Sequence, residues 1–359
     1  MIPKDIELQN AAPLIKDLKK IIHQARMQVA RSVDSTLVML YWRIGRRIQD
    51  DILKQKRAAY GQEIVVTLSQ QLTAEFGKGF SRYNLARMIQ FADAFPDEQI
   101  AATLSQELSW SHFVQFLPLK DRLKQAFYAE MARVEKWSVR ILRKKIDSML
   151  FERTAISRKP DKLIAQELKE LRQEDKLTPD IVFRDPYLLD FLGLRDIYAE
   201  KDLEAAILRE MEAFILELGV GFAFMERQKR ITVDGDDYYL DLLFFHRRLR
   251  RLVAIELKLG DFKPADKGQM ELYLRWLDKF ERRQEEESPI GLILCAGKKE
   301  ETVRLMDMEG SGIRVASYLT EALPKAELER KLHEAVILAR QRLAQEEFRR
   351  DLPGLENEG

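Results

Sequence analysis

The chain has 359 residues, 46% hydrophobic and 33% charged, with a net charge of +1; this is material for two domains with separate cores, and no run has the length of a membrane span. Its single cysteine, Cys295, follows the apolar run 290–294 and excludes a disulfide within the chain, so it reads as a buried, inert thiol. The near-neutral total hides a split: residues 1–150 hold 24 Lys and Arg against 16 Asp and Glu, net +8, while the remainder holds 36 against 43, net −7.

A basic front half favours a polyanionic partner, which an acidic rear half would repel unless metal ions intervene. The N-terminus lacks the charged-then-apolar pattern of a signal peptide, so a cytoplasmic location is expected, without membrane contact. His23, His112, His246 and His333 show no zinc-ligand spacing.

The first half reads as helices. Apolar residues recur at helical spacing from Leu14 to Asp51, and a second helix is expected around residues 63–76. Gly77-Lys78-Gly79-Phe80-Ser81 then supplies a tight turn and a Ser N-cap for a helix through Phe91, a helix-turn-helix pattern. With Leu85, Met88 and Ile89 inward, Arg82, Asn84 and Arg87 face outward, where their chemistry suits phosphates and base edges. Two further Ser-capped helices begin near Ser109 and Ser138, the second carrying Arg140 and Lys144. Residues 62–145 resemble the helical DNA-binding region of ParB-type proteins, with Lys78, Arg82, Asn84, Arg87, Arg140 and Lys144 as nucleic-acid contacts. The competing reading is a helical bundle with an ordinary solvated basic face.

The boundaries expected from this pass are a helical domain over 1–153, a polar linker over 154–180, an α/β domain over 181–323, and an amphipathic helix and tail over 324–359. Within the third segment the pattern gives a helix over 201–219, strands near 222–233, 238–246 and 251–259, and a helix over 266–279. A strand at 290–295, a helix at 298–308 and a short strand at 313–317 follow. The C-terminal helix is expected to pack on the chain or on a second copy.

Chemistry concentrates where charges interrupt two of these strands. Tyr238-Tyr239-Leu240-Asp241-Leu242-Leu243-Phe244-Phe245 and Leu252-Val253-Ala254-Ile255-Glu256-Leu257-Lys258 place two acids and a lysine inside apolar runs. An unpaired buried carboxylate is costly, so three charges on neighbouring strands point to a metal or a mutual network. Strand alternation puts Glu256 and Lys258 on one face. Upstream, Glu204 shares the apolar stripe of its helix, whereas Glu210, Glu212 and Glu217 fall to the side or behind. Downstream, Gln269 and Tyr273 share a helix face. Glu167-Leu168-Lys169 and Pro179-Asp180 carry similar letters but lack the apolar strand setting.

Residues 201–300 resemble the PD-(D/E)XK nuclease superfamily, and the whole chain resembles the bacterial YhcG-type family, in which a helical domain precedes such a nuclease domain. The residues that carry the likeness include 37–42, 76–81, 108–112, Asp185-Pro186-Tyr187, 191–194, 221–224, Asp241-Leu242-Leu243-Phe244, Ile255-Glu256-Leu257-Lys258 and Gly268-Gln269-Met270. Leu240 stands where the superfamily often has proline. The resemblance implies an α+β two-domain architecture: an all-α front with helix-turn-helix character and a restriction-endonuclease-like domain around a mixed central sheet.

It also implies a metal-dependent DNA endonuclease acting in defence, restriction or repair. Asp241, Glu256 and the Leu257 carbonyl would hold Mg²⁺ or Mn²⁺, with Glu204 completing the shell. Lys258 would orient the attacking water or stabilise the transition state, and Gln269 would position Lys258 or the scissile phosphate, while Tyr273 packs. Lys263, Lys267, Lys298 and Lys299 are weaker candidates for backbone contacts. RNA is not excluded as the substrate, and a homodimer would account for cutting two strands with one metal centre per subunit. The rival reading is a non-catalytic DNA-binding or complex-assembly protein that uses a nuclease fold as scaffold.

Overall fold

The computed structural model describes residues 34–50, 58–194, 199–306, 308, 310–321 and 323–350. The expected helix from Leu14 therefore begins outside the described residues. The chain divides into two compact units, Met1–Lys144 and Lys145–Gly359.

The described part of the first unit is helical. It comprises α1 (34–50), α2 (Ala58–Phe76), α3 (Arg82–Ala94), α4 (Glu98–Ser105), α5 (Trp110–Phe116), α6 (Arg122–Val134) and the start of α7 (Val139–Asp147). Aromatic side chains at helical spacing build its centre: Phe91, Phe95, Phe113 and Phe116 are buried and meet at ring separations of 4.4–6.2 Å. The Trp42 indole donates to the Phe95 carbonyl at 2.7 Å, tying α1 to the end of α3. Gly45 makes this approach close, since a Cβ there would lie 1.9 Å from the Met88 carbonyl oxygen. Ser138 caps α7 as expected, its Oγ accepting the Ile141 N–H at 3.3 Å, whereas at the start of α5 the contact runs the other way, the Ser109 N–H donating to His112 Nδ1 at 3.1 Å.

The second unit continues through α8 (Leu150–Arg153), α9 (Asp161–Glu174) and α10 (Pro179–Val182) to β1 (Tyr187–Leu188). Residues 154–180 are thus not an open polar linker. Ile164, Leu168 and Leu171 are buried at i, i+4 and i+7, a narrow apolar stripe masked by Lys and Glu on the other faces. Next come α11 (Glu200–Arg209) and α12 (Met211–Leu218), then β2 (Phe222–Val233), β3 (Asp236–His246) and β4 (Arg251–Asp261). The chain ends with α13 (Pro264–Phe280), β5 (Ile290–Gly297), α14 (Glu300–Leu305), β6 (Ile313–Leu319) and α15 (Lys325–Arg350).

The sheet order is β1-β6-β5-β4-β3-β2, antiparallel from β2 to β4 and parallel across β4, β5, β6 and β1. α13 provides the crossover that parallel pairing of β4 with β5 requires, and it buries Met270, Tyr273, Leu274 and Leu277 in the core shared with β3, β4 and β5. Leu328 and Leu332 of α15 pack against Met149, so the last helix docks on its own unit.

The helix expected over 201–219 is broken at Glu210, whose φ and ψ of −104° and 32° leave the α-region. The break resets the helical phase. Glu204 remains half-buried as expected, but Glu217, read as facing away, turns into the core. There it accepts from Arg153 at 2.5 Å and from the Leu188 N–H at 3.0 Å, with Arg184 at 3.1 Å. The same part of the unit holds Asp185. Its Oδ1 accepts from the Ser317 N–H at 2.9 Å and hydroxyl at 3.0 Å, and its Oδ2 from Arg158 at 2.7 Å and from Lys298.

Candidate active site

The β3/β4 register pairs Leu242 with Ile255, and Asp241 and Glu256 are the next residues along each strand. The cross-strand ladder changes character here, because Asp241 Oδ2, rather than a backbone carbonyl, accepts the Leu257 N–H at 2.8 Å. The N–H and C=O of one strand residue point to the same side, so the Leu257 carbonyl faces the gap beyond this last pair.

Glu256 is 3% exposed. Burial and then the neighbouring Asp241 carboxylate push its pKa up to about 9, with Lys258 pulling the other way. At neutral pH the metal-free Glu256 therefore carries its proton. Its Oε2 is buried without a hydrogen-bond partner, an unmet acceptor of the kind a cation satisfies.

Glu204 enters from α11. Its Oε2 accepts from Gln228 Nε2 at 2.9 Å, and the same nitrogen donates to Asp241 Oδ1 at 2.9 Å. Burial and then Asp241 raise the Glu204 pKa. Glu200, one helical turn earlier, accepts from the Leu259 N–H at 3.3 Å and adds negative charge near Glu256. Gln228 and Glu200 were absent from the expected set. Gln228 sits among charged letters in Met225-Glu226-Arg227-Gln228-Lys229-Arg230, where no periodicity singles it out; Glu200 lies four residues before Glu204, a spacing that could have marked it.

On α13, Gln269 Nε2 donates to the Tyr273 hydroxyl at 2.6 Å, and that hydroxyl donates to the Tyr239 carbonyl at 3.2 Å. Tyr273 does more than pack. Burial, with Glu256 and Asp241 nearby, pushes its pKa up to about 12, so it stays a neutral donor. Lys267 and Lys298 are committed elsewhere: Lys267 donates to the Met306 carbonyl at 2.6 Å, and Lys298 holds Asp185 and the Val315 carbonyl. Asp180 and Glu167, the two decoys, both pair with Lys159, and Asp180 also with Arg314 at 2.7 Å.

A hard dication fits the residues present. The donors are carboxylate and carbonyl oxygens, as Mg²⁺ and Mn²⁺ prefer, and the unmet Glu256 Oε2 supplies an open acceptor. Among the described residues no group of three or more His, Cys, Asp or Glu side chains is gathered closely enough to hold a metal ion together. Two carboxylates leaving room for water and phosphate suit Mg²⁺.

The expected nucleic-acid contacts lie in the first unit. Lys78 and Arg82 are exposed in the turn and at the start of α3. Asn84 is partly spent on the turn, its Nδ2 donating to the Gly79 carbonyl at 3.1 Å while its N–H meets Ser81 Oγ at 3.4 Å. Arg87 lies 3.9 Å over the exposed Tyr83 ring and bonds its hydroxyl. Arg140 and Lys144 are exposed one turn apart on α7.

Comparison with known proteins agrees with this architecture. Residues 180–333 match the family model described as the YhcG PDDEXK nuclease domain, and residues 17–153 match the DUF1016 N-terminal domain. The second half is thus a nuclease domain of the PD-(D/E)XK class. The chain is 35% identical to the protein described as "Putative nuclease YhcG" from Escherichia coli (strain K12), over 77% of this chain and 81% of that one. It belongs to the YhcG family. A repair endonuclease from Pyrococcus abyssi, known from its crystal structure, matches at 20% identity and a TM-score of 0.24, over 36% of this chain and half the length of that one. No helix among the described residues is long and apolar enough to cross a membrane.

Proposed function

We propose that the chain is a metal-dependent endonuclease that hydrolyses phosphodiester bonds of DNA. The observation that carries this reading is the buried Glu256 carboxyl, with one oxygen unpartnered, beside Asp241 on adjacent strands, with Lys258 two residues on along the same face. Asp241, Glu256 and the Leu257 carbonyl are the residues to hold Mg²⁺ or Mn²⁺, with Glu204 reaching the ion through water. When bound, the ion lowers the pKa of a water and neutralises charge on the phosphate.

The chain's own groups supply the rest. Lys258 offers a positive charge on the acid face of β4, where it orients the water and stabilises charge developing on the phosphate oxygens. Gln269, braced by Tyr273, presents its amide oxygen and its remaining N–H toward the substrate backbone. Lys78, Arg82 and Arg87, with Arg140 and Lys144, contact phosphates, and Asn84 shapes the turn that presents them.

Purified protein incubated with Mg²⁺ or Mn²⁺ and labelled duplex, branched and single-stranded DNA, with RNA alongside, tests the reading. Cleavage by the wild type should fall at least about a thousandfold in Asp241→Asn and Lys258→Ala. Equal absence of cleavage in wild type and variants across all substrates and metals would leave a binding protein on a nuclease scaffold.

A further inference from the structure

The flanking pairs Arg227 with Leu242 and Lys229 with Leu240 set Gln228 opposite Asp241 on the outer strand β2. Gln228 has a φ of +46°, in the left-handed region, and lies just after the register shift between Phe224 and Glu226. For a residue with a Cβ this conformation is unfavourable, and glycine would adopt it freely. A strand does not need such a residue for pairing. What the conformation accompanies is one amide group whose Nε2 lies 2.9 Å from Glu204 Oε2 and 2.9 Å from Asp241 Oδ1. A side-chain amide has two N–H donors, enough for both carboxylates, whereas a charged donor would compete with a cation for the same oxygens.

Resting on the metal-dependent reading above, we infer that Gln228 is a positioning residue that clamps the helix acid Glu204 to the strand acid Asp241, so that both serve one metal centre. Without it, two carboxylates on separate elements repel each other, and α11 carries Glu204 away from the site. The clamp acts by neutral hydrogen bonds and leaves the total charge available to the ion unchanged. Arg227, which also draws on Glu204, supports it from the same strand.

The test uses the full chain as wild type, Gln228→Leu and Gln228→Gly, with Mn²⁺ as the probe. Mn²⁺ affinity is measured by calorimetry, thermal unfolding without metal, and cleavage as a function of Mn²⁺. Both variants should bind Mn²⁺ about tenfold more weakly, the usual scale for losing a partner that orients a ligand. The Mn²⁺ concentration giving half-maximal cleavage should rise by the same factor as the affinity falls, so that added Mn²⁺ rescues cleavage in the variants. Gln228→Gly should unfold at the same or a higher temperature, because it relieves the left-handed backbone while losing the clamp. A purely structural glutamine gives the reverse pattern, with lowered unfolding temperatures and wild-type Mn²⁺ affinity, and that result overturns the inference while leaving the metal reading intact. Wild-type protein that shows no saturable Mn²⁺ binding overturns both.

Discussion

Asp185 and Glu256 are buried acids of the same unit, 9% and 3% exposed, and their ionisation is shifted in opposite directions. Burial alone disfavours the charge on each. At Asp185 the charges of Lys298 and Arg158 more than offset it, and four donors saturate the two oxygens, so the carboxyl stays well below the usual carboxylate range. At Glu256 the nearest strong influence is another acid, and one oxygen has no partner. The first arrangement is closed and holds β6 to the segment before β1. The second is open, and its unfavourable electrostatics are what a dication would reverse. Buried charge by itself therefore does not mark a candidate site; at Glu256 the unpartnered oxygen coincides with a second acid on the adjacent strand.

The sharpest way to break this distinction is by substitution at the two acids. Asp185→Ala strands Lys298 and Arg158 and should cost about 3–5 kcal/mol in urea unfolding. Glu256→Gln removes a carboxyl that folding must keep protonated at pH 7 while the unfolded chain ionises it, so metal-free stability should rise, by up to about 3 kcal/mol. Comparable losses at the two positions would erase the contrast.

His246 provides an intermediate case, a fully buried titratable group without a countercharge. Burial, then Arg248, depresses its pKa from the ordinary 6.5 to about 4. A depressed pKa means that the unfolded chain takes up the proton first, so stability present above pH 6.5 is lost as the pH falls toward 4, by up to about 3 kcal/mol. The raised Glu256 carboxyl contributes the opposite slope over the same window, so the His246 loss should appear between pH 7 and 4.5 in Glu256→Gln and be flattened when His246→Gln is added. The Asp185 contribution is lost only at lower pH, which separates the two.

The smallest effects on stability belong to the exposed cations. Lys78→Ala and Arg82→Ala should each change stability by under about 0.5 kcal/mol. If each meets a phosphate, the slope of log affinity against log salt should fall by about one per residue removed. An unchanged slope in the double variant would assign these side chains to an ordinary solvated face.

Much of the candidate site was legible in the sequence because it lies where two signals conflict. Asp241, Glu256 and Lys258 interrupt strand-like apolar runs, and such interruptions are expensive unless used. The mixed sheet and the Ser81 turn were legible for similar local reasons, in alternation and in capping chemistry. The rest depended on long-range geometry. The break at Glu210 rephases Glu217 by an amount no stripe records, and the buried face of α9 spans only three residues among charges. Gln228 earns its position through backbone conformation and an opposite strand, neither of which a single letter discloses.

Asp241 and Glu256 are 15 residues apart on consecutive strands joined by one short turn. Bringing them together closes only a small loop, so the two acids can be paired with their own hairpin before distant strands arrive. Changes of length elsewhere in the unit leave that pairing intact.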